Sequence, residues 1–96
     1  MTEAQLSDQV VRRLDAYGYW HWHDRATNTK DLKRRNKRGL PDRIIARAGV
    51  VKGLELKTER GRVSPEQAVA LEAFGENGHV IRPSDLLSGA VDDLLR

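Results

Sequence analysis

The chain has 96 residues, a formal net charge of +3 and no cysteine, which predicts one domain over residues 1–96 with no separate recognition domain. The absence of cysteine excludes disulfides and thiolate metal sites. No apolar run approaches the roughly 20 residues of a membrane span, and the opening MTEAQLSDQ lacks the basic and apolar regions of a signal peptide. We expect a cytoplasmic protein that makes no contact with a membrane, in the host cytoplasm if the source is viral.

The first predicted element is an amphipathic helix. Thr2 followed by Gln5 has the capping-box pattern of a helix start, with Glu3 in the first turn. Apolar residues then recur at helical spacing until Gly18 ends the run, at Leu6, Val10, Leu14 and Tyr17. The aromatic segment YWHWH, Tyr19 to His23, predicts a first strand.

A basic loop follows at residues 24–40. This segment holds seven basic and two acidic residues, a local net charge of +5 in a chain of +3, so the rest of the chain is net acidic. A concentrated basic patch indicates a polyanionic partner, nucleic acid first. The alternative is a solvated or disordered basic segment. So long a stretch without periodic structure is typical of a functional or disordered loop.

The segment LPDRIIARAGVVKGLELKT, residues 40–58, predicts a β-hairpin. If Ala48 and Gly49 form a two-residue turn, the register places Asp42 directly opposite Glu55. Cross-strand partners point to the same face, with Cβ atoms roughly 5 Å apart. A three-residue turn or a bulge in the second strand would shift this register.

Charged side chains therefore converge on one face of the hairpin. Lys57 shares the face of Glu55, while Leu54 and Leu56 face the core. Two facing carboxylates repel each other unless a cation lies between them, and Mg²⁺, which prefers oxygen ligands, suits that position. The sequence therefore predicts a metal site between Asp42 and Glu55.

The remaining chain predicts a helix, a strand and a last helix. The second helix begins with Ser64 as N-cap and Gln67 closing a capping box, and it stops at Gly78. A short strand, HVIR, and a helix from Ser84 complete the order αβββαβα, an α/β fold with a mixed sheet.

These residues also carry a family resemblance. Asp42, followed after a hairpin by Glu55-Leu56-Lys57, resembles the PD-(D/E)xK nuclease motif, with Pro41 completing it. The wider strings GLPDRII and LELKTERGRVSPEQ are still more similar to the VRR-NUC group of that superfamily. The resemblance covers nearly the whole chain. It implies a stand-alone VRR-NUC-like domain with a restriction-endonuclease-like core, in which helices flank the mixed central sheet.

The resemblance assigns roles to the charged cluster. Asp42 and Glu55 would be the metal ligands, with the backbone carbonyl of Leu56 beside them. The metal would be Mg²⁺, with Mn²⁺ able to substitute, and it would activate a water and polarise the scissile phosphate. Lys57 would hold the nucleophile or stabilise the charge that grows on the phosphate.

Two further residues have competing uses. Glu3 matches a first-helix acid that serves as an outer or second-metal ligand, although an acid there also complements the helix macrodipole. Gln67 matches a catalytic glutamine near the metal, yet it also completes the capping box with Ser64. We expect the two uses of Gln67 to compete for one side-chain amide, with the active-site use favoured.

Other residues are candidates for nucleic-acid contacts. His21 and His23 lie on one strand face, where polar surface residues are more common than ligands. Trp20 and Trp22 on the other face fit a core or an interface better than a base-stacking platform. The predicted DNA-binding residues are Lys30, Lys33, Arg34, Arg35, Lys37, Arg38, Arg60 and Arg62.

The sequence thus predicts a divalent-metal-dependent endonuclease that selects DNA by structure. The resemblance implies a homodimer that acts on branched DNA such as four-way junctions. Two alternatives stay open. One is a catalytically silent nucleic-acid-binding or recruitment module, which would gain from losing carboxylates that repel phosphate. The other is a duplex-cutting restriction-like nuclease, for which the sequence offers no recognition element.

Overall fold

A computed structural model of the protein describes residues 1–23 and 40–96. Within these ranges four strands form one mixed sheet in the order β1-β2-β3-β4, with β1, β2 and β3 antiparallel and β4 parallel to β3. The elements in chain order are α1 (Glu3–Ala16), β1 (Trp20–His23), β2 (Arg43–Arg47), β3 (Val50–Leu56), α2 (Pro65–Phe74), a 3₁₀ turn (Gly75–Asn77), β4 (Gly78–Ile81), α3 (Pro83–Leu87) and α4 (Ala90–Leu95). The predicted mixed sheet in an α/β fold is confirmed at this level.

The hydrophobic core lies on one face of the sheet, beneath α1 and α4. The predicted capping box starts α1, since Thr2 Oγ1 accepts from the Gln5 amide and Gln5 Oε1 accepts from the Thr2 amide. The predicted apolar stripe of α1 is buried. The core residues are Leu6, Val10, Leu14, Ile45, Leu54, Leu56, Ile81, Val91 and Leu95.

The hairpin has the predicted turn and register. Ala48 and Gly49 both have positive φ angles, 53° and 83°, as a two-residue type I′ turn requires. Arg43 pairs with Leu54 and Ile44 with Gly53, so no bulge interrupts β3. A Cβ on Gly53 would lie 3.0 Å from Pro41 Cγ, which explains why glycine occupies this strand position.

The ends of two predicted helices are corrected. The second helix stops at Phe74 instead of Gly78, because Gly75 adopts φ 60° and a 3₁₀ turn leads directly into β4. The predicted final helix is two short helices, α3 and α4, because Gly89 lies between them in the left-handed conformation. This turn lets the apolar side of α4 reach the core beside α1.

Candidate active site

The site begins at the open end of the β2–β3 hairpin. Asp42 immediately precedes β2, and its Oδ2 accepts a 2.7 Å hydrogen bond from the backbone N–H of Leu56, the last residue of β3. This bond continues the strand pairing beyond Arg43 and Leu54. The structure therefore brings the Asp42 carboxyl group beside Glu55, as the hairpin register predicts.

Glu55 is buried, with 2% of its surface exposed. Its Oε2 accepts a 2.9 Å hydrogen bond from Gln67 Nε2 and lies 3.8 Å from Lys57 Nζ. Its Oε1 is also buried but has no hydrogen-bond partner among the described residues. A buried carboxylate oxygen without a partner is costly to a folded protein and points to a ligand or a proton at that position.

The pKa of Glu55 is raised from 4.5 to about 8, chiefly because burial penalises the charged form. The neighbouring Asp42 carboxyl group contributes to this rise through a hydrogen bond, which exists only while one of the two groups is protonated, and through its charge, and Lys57 partly offsets these effects. Glu3 adds a smaller repulsion. The cluster thus favours a bound proton, or another positive charge, between the two carboxyl groups.

The two uses of Gln67 do not compete, which corrects the sequence-based expectation. Its Oε1 accepts from the Ser64 amide at 2.8 Å, while its Nε2 donates to Glu55 Oε2 at 2.9 Å. Ser64 Oγ in turn accepts from the backbone N–H of Gln67 at 3.1 Å. An amide side chain has an acceptor end and a donor end, so the cap orients Gln67 and thereby holds the carboxylate of Glu55.

A cleft of about 880 Å³ opens beside the carboxyl pair, between α1 and the hairpin. Glu3, Asp42 and Leu56 all line it, so the first-helix acid predicted from the sequence faces the site. The other lining residues are Ala4, Ser7, Asp8, Val11, Arg12, His23 and Arg43. The cleft therefore combines an acidic end at Glu3 and Asp42 with cationic side chains.

The donors at this position fit a small divalent cation. No group of three or more histidine, cysteine, aspartate or glutamate side chains suited to a metal occurs in residues 1–23 and 40–96. The proposed ligand set instead has two carboxylates, Asp42 and Glu55, plus the backbone carbonyl of Leu56. A cation there would give the buried Glu55 Oε1 a partner and neutralise the repulsion from Asp42.

Arg60 and Arg62 lie on the loop that follows β3, and both are exposed. The loop starts at Lys57, whose backbone N–H donates to the carbonyl of Ile81 on β4 at 3.0 Å. It ends at Ser64, the N-cap of α2. The loop thus places two guanidinium groups on the chain segment between Lys57 and Gln67.

Arg82 organises this loop, a role that the sequence reasoning missed. Its Nη1 donates to the carbonyls of Thr58 and Gly61 at 2.7 Å each, and of Glu59 at 3.2 Å. The Glu59 carboxylate accepts from the backbone N–H of Ser84 at 3.0 Å. The Ser84 hydroxyl and this backbone bond together lower the pKa of Glu59. No motif identifies such a residue, because its partners are backbone carbonyls of a distant loop.

The tryptophans of strand β1 are expected in a core or an interface, and the structure rules out the core while the interface stays a prediction. Trp20 and Trp22 are 62% and 45% exposed. His21 faces α1 instead, where its Nε2 lies 2.9 Å from Asp15 Oδ1, and His23 lines the cleft. The core of the described chain therefore excludes the indole rings and leaves them available for another contact.

Six of the predicted DNA-binding residues lie outside the described residues. They are Lys30, Lys33, Arg34, Arg35, Lys37 and Arg38. Their participation in a DNA surface stays a prediction.

No helix in residues 1–23 and 40–96 is long and apolar enough to cross a membrane.

Comparisons with protein-family models, with curated proteins and with solved structures find no match for this chain.

Proposed function

We propose that the protein is a divalent-metal-dependent DNA endonuclease with a restriction-endonuclease-like arrangement of the VRR-NUC type. The observation that carries the proposal is the buried Glu55 carboxylate beside Asp42, held by Gln67 and Lys57, with one oxygen that has no hydrogen-bond partner within residues 1–23 and 40–96. A purely structural role does not account for this cluster, because a buried carboxylate beside a second, half-buried carboxyl group destabilises the fold.

Asp42, Glu55 and the Leu56 carbonyl would hold Mg²⁺ or Mn²⁺, which when bound polarises the scissile phosphate and lowers the pKa of a water. Glu55 is already oriented for this role by Gln67, and Asp42 is oriented by the Leu56 amide. Because both carboxylates are fixed before a ligand arrives, little reorganisation opposes binding.

Lys57 supplies a positive charge next to the same carboxylate. Its ammonium lies 3.8 Å from Glu55 Oε2, outside a strong hydrogen bond, and its side chain is 15% exposed. From this position it would orient the attacking water or stabilise charge on the phosphate during cleavage. Glu3 faces the same cleft from α1 and would act as an outer or second-metal ligand.

The proposed substrate is branched DNA, including four-way junctions, cut by a homodimer in the cytoplasm. A two-fold protein can bring one acidic cluster to each of two equivalent phosphates at a symmetric junction. The exposed Trp20 and Trp22 support an additional contact, since large apolar side chains on one strand favour burial against a partner. The basic residues between 24 and 40 would hold the DNA backbone.

Cleavage assays on single-stranded, duplex, flap and four-way DNA, with and without Mg²⁺ or Mn²⁺, test the proposed activity. Wild type should cut only with metal, and Glu55→Ala and Lys57→Ala should abolish cutting while DNA binding survives. Lys52→Ala is a matched control, since Lys52 shares strand β3 but donates to the carbonyl of Leu94 at 3.2 Å. Cleavage within tenfold of wild type for Glu55→Ala or Lys57→Ala would contradict the assignment. DNA binding by wild type without cleavage of any substrate would instead favour the binding module.

Light scattering and matched substrates test the dimer separately. We expect a dimeric mass and faster cutting of junction than of duplex. Alanine at Lys33, Arg34, Arg35, Lys37 and Arg38 should weaken junction binding and its salt dependence without preventing dimerisation. A monomer, or equal rates on the two substrates, would reject the branched-DNA dimer and leave the nuclease proposal standing.

A further inference from the structure

A chain of three polar side chains links α1, β1 and β2 near the cleft. Asp15 Oδ1 lies 2.9 Å from His21 Nε2, and His21 Nδ1 lies 2.8 Å from Arg43 Nη1. Arg43 is 6% exposed, although it lines the cleft beside Asp42. An arginine with so little exposed surface has few alternative rotamers, so its guanidinium has a defined direction.

The direction of these hydrogen bonds follows from the chemistry of arginine. A guanidinium group only donates, so His21 Nδ1 must accept from Arg43. A histidine that accepts at Nδ1 carries its proton on Nε2, and Nε2 therefore donates to Asp15. Asp15 thus selects the histidine tautomer that can hold the arginine.

The position of Arg43 suits an anion that enters the cleft. The described lining carries three carboxylates, from Glu3, Asp8 and Asp42, and each of them repels a phosphate. The arginines among the described lining residues are Arg12, which is exposed on α1, and Arg43, which is buried and bonded to His21. A fixed guanidinium recognises phosphate oxygens with a smaller loss of side-chain entropy than an exposed one.

We propose that Arg43 is a phosphate-binding residue of this cleft, and that His21, set by Asp15, is its positioning residue. The ligand would be a DNA phosphate that lies next to Asp42 and Glu55, and this identification rests on the proposed function. Arg43 would hold the strand while Asp42 and Glu55 act on the neighbouring position.

DNA affinity measured by fluorescence anisotropy in EDTA tests the proposal without any cleavage. Arg43→Lys should raise the Kd at least fivefold, because lysine lacks the planar fork. Arg47→Lys is a matched control on the same strand and face, since Arg47 instead donates to the Tyr17 carbonyl and stacks on Tyr19. A Kd for Arg43→Lys within twofold of that of Arg47→Lys would overturn the proposal.

Two variants of His21 separate positioning from simple packing. Asparagine can place an acceptor near the Nδ1 position, whereas glutamine places its polar end near Nε2. We therefore expect His21→Asn to retain most of the DNA affinity and His21→Gln to lose it at equal thermal stability. Equal affinities of the two variants would overturn the positioning role.

Inorganic phosphate titrated into wild type gives a readout that does not depend on a variant's folding or on nuclease activity. Imidazole ¹⁵N signals of His21 should show the Nε2-protonated tautomer and shift saturably with phosphate, and those of His79, on β4, should not. A His21 signal that stays unchanged at phosphate concentrations that displace DNA would overturn the proposal. If wild type cuts no DNA but His21 shifts, the nuclease proposal fails and the phosphate site stands.

Discussion

Replacing Glu55 with glutamine should make the metal-free protein more stable, increasingly so as the pH rises. Glutamine keeps the shape of the side chain, its carbonyl can accept from Gln67, and its amide can donate to Asp42. The substitution thus mimics the protonated acid. Wild type has a Glu55 pKa raised to about 8 by burial and by Asp42, so its folded state binds a proton that the unfolded state releases.

The magnitude follows from this difference in proton binding. A group with a raised pKa contributes stability that is complete below the unfolded value, 4.5, and is lost progressively up to about 8. At about 1.4 kcal/mol per pKa unit, the rise corresponds to an upper bound of about 5 kcal/mol. We expect roughly 2–3 kcal/mol to be measured, since the neighbouring cleft admits water and raises the effective dielectric constant.

Urea unfolding in EDTA across this pH range measures the effect. The difference in unfolding free energy, Glu55→Gln minus wild type, should widen as the pH rises. His79, whose pKa is lowered by burial and by Lys52, changes the stability of both proteins in the opposite direction, and its contribution cancels in the difference. Glu72→Gln, which changes an exposed carboxylate on α2, is the matched control and should show no such widening. A Glu55→Gln difference that stays constant within about 0.5 kcal/mol would refute the reasoning, because ordinary surface substitutions vary by that much.

Three further predictions concern metal binding, the loop and the hairpin. Mg²⁺ or Mn²⁺ should raise the Tm of wild type by mass action, and Asp42→Asn should lose most of the shift in calorimetry; an equal shift in both would place the metal elsewhere. Arg82→Lys should lower the unfolding free energy by about 1–3 kcal/mol, because carbonyls of the loop after β3 lose donors. It should also speed proteolysis after Arg60 or Arg62, and an unchanged proteolysis rate would contradict the role of Arg82 in holding this loop. Gly53→Ala should cost about 1–3 kcal/mol in urea unfolding, since the new Cβ would meet Pro41 at 3.0 Å. Val51→Ala on the exposed part of β3 serves as its control, and an equal loss in both would dismiss the steric explanation.

The local elements of this fold could be predicted because their causes lie within a few residues. The capping box between Thr2 and Gln5 and the apolar stripe that follows specify α1. The turn at Ala48 and Gly49 sets the hairpin register. That register in turn brings Asp42 to Glu55, because a two-residue turn fixes which residues of the two strands lie opposite each other. The acidic pair was therefore within reach of the sequence alone.

Residues whose partners are distant in the chain depended on the tertiary structure. The amide of Gln67 reaches Glu55 while it caps its own helix, and only the packing of α2 on β3 makes both bonds possible. Arg82 contacts backbone carbonyls of a loop more than twenty residues away, and backbone groups leave no trace in side-chain patterns. The split of the last helix also depended on packing, since Gly89 turns the chain so that α4 reaches the core.

The sequence by itself determined which chemical groups this protein carries and which of them share a strand face. Only the tertiary structure decided their electrostatic state, because the cost of a charge depends on the water and the side chains around it. Glu55 is an ordinary glutamate in the sequence and an acid with a pKa of about 8 once α2 and the hairpin enclose it. Likewise, Arg43 follows Asp42 in the printed chain, but only the fold places His21, from β1, within 2.8 Å of its guanidinium group and Asp15, from α1, within 2.9 Å of that histidine.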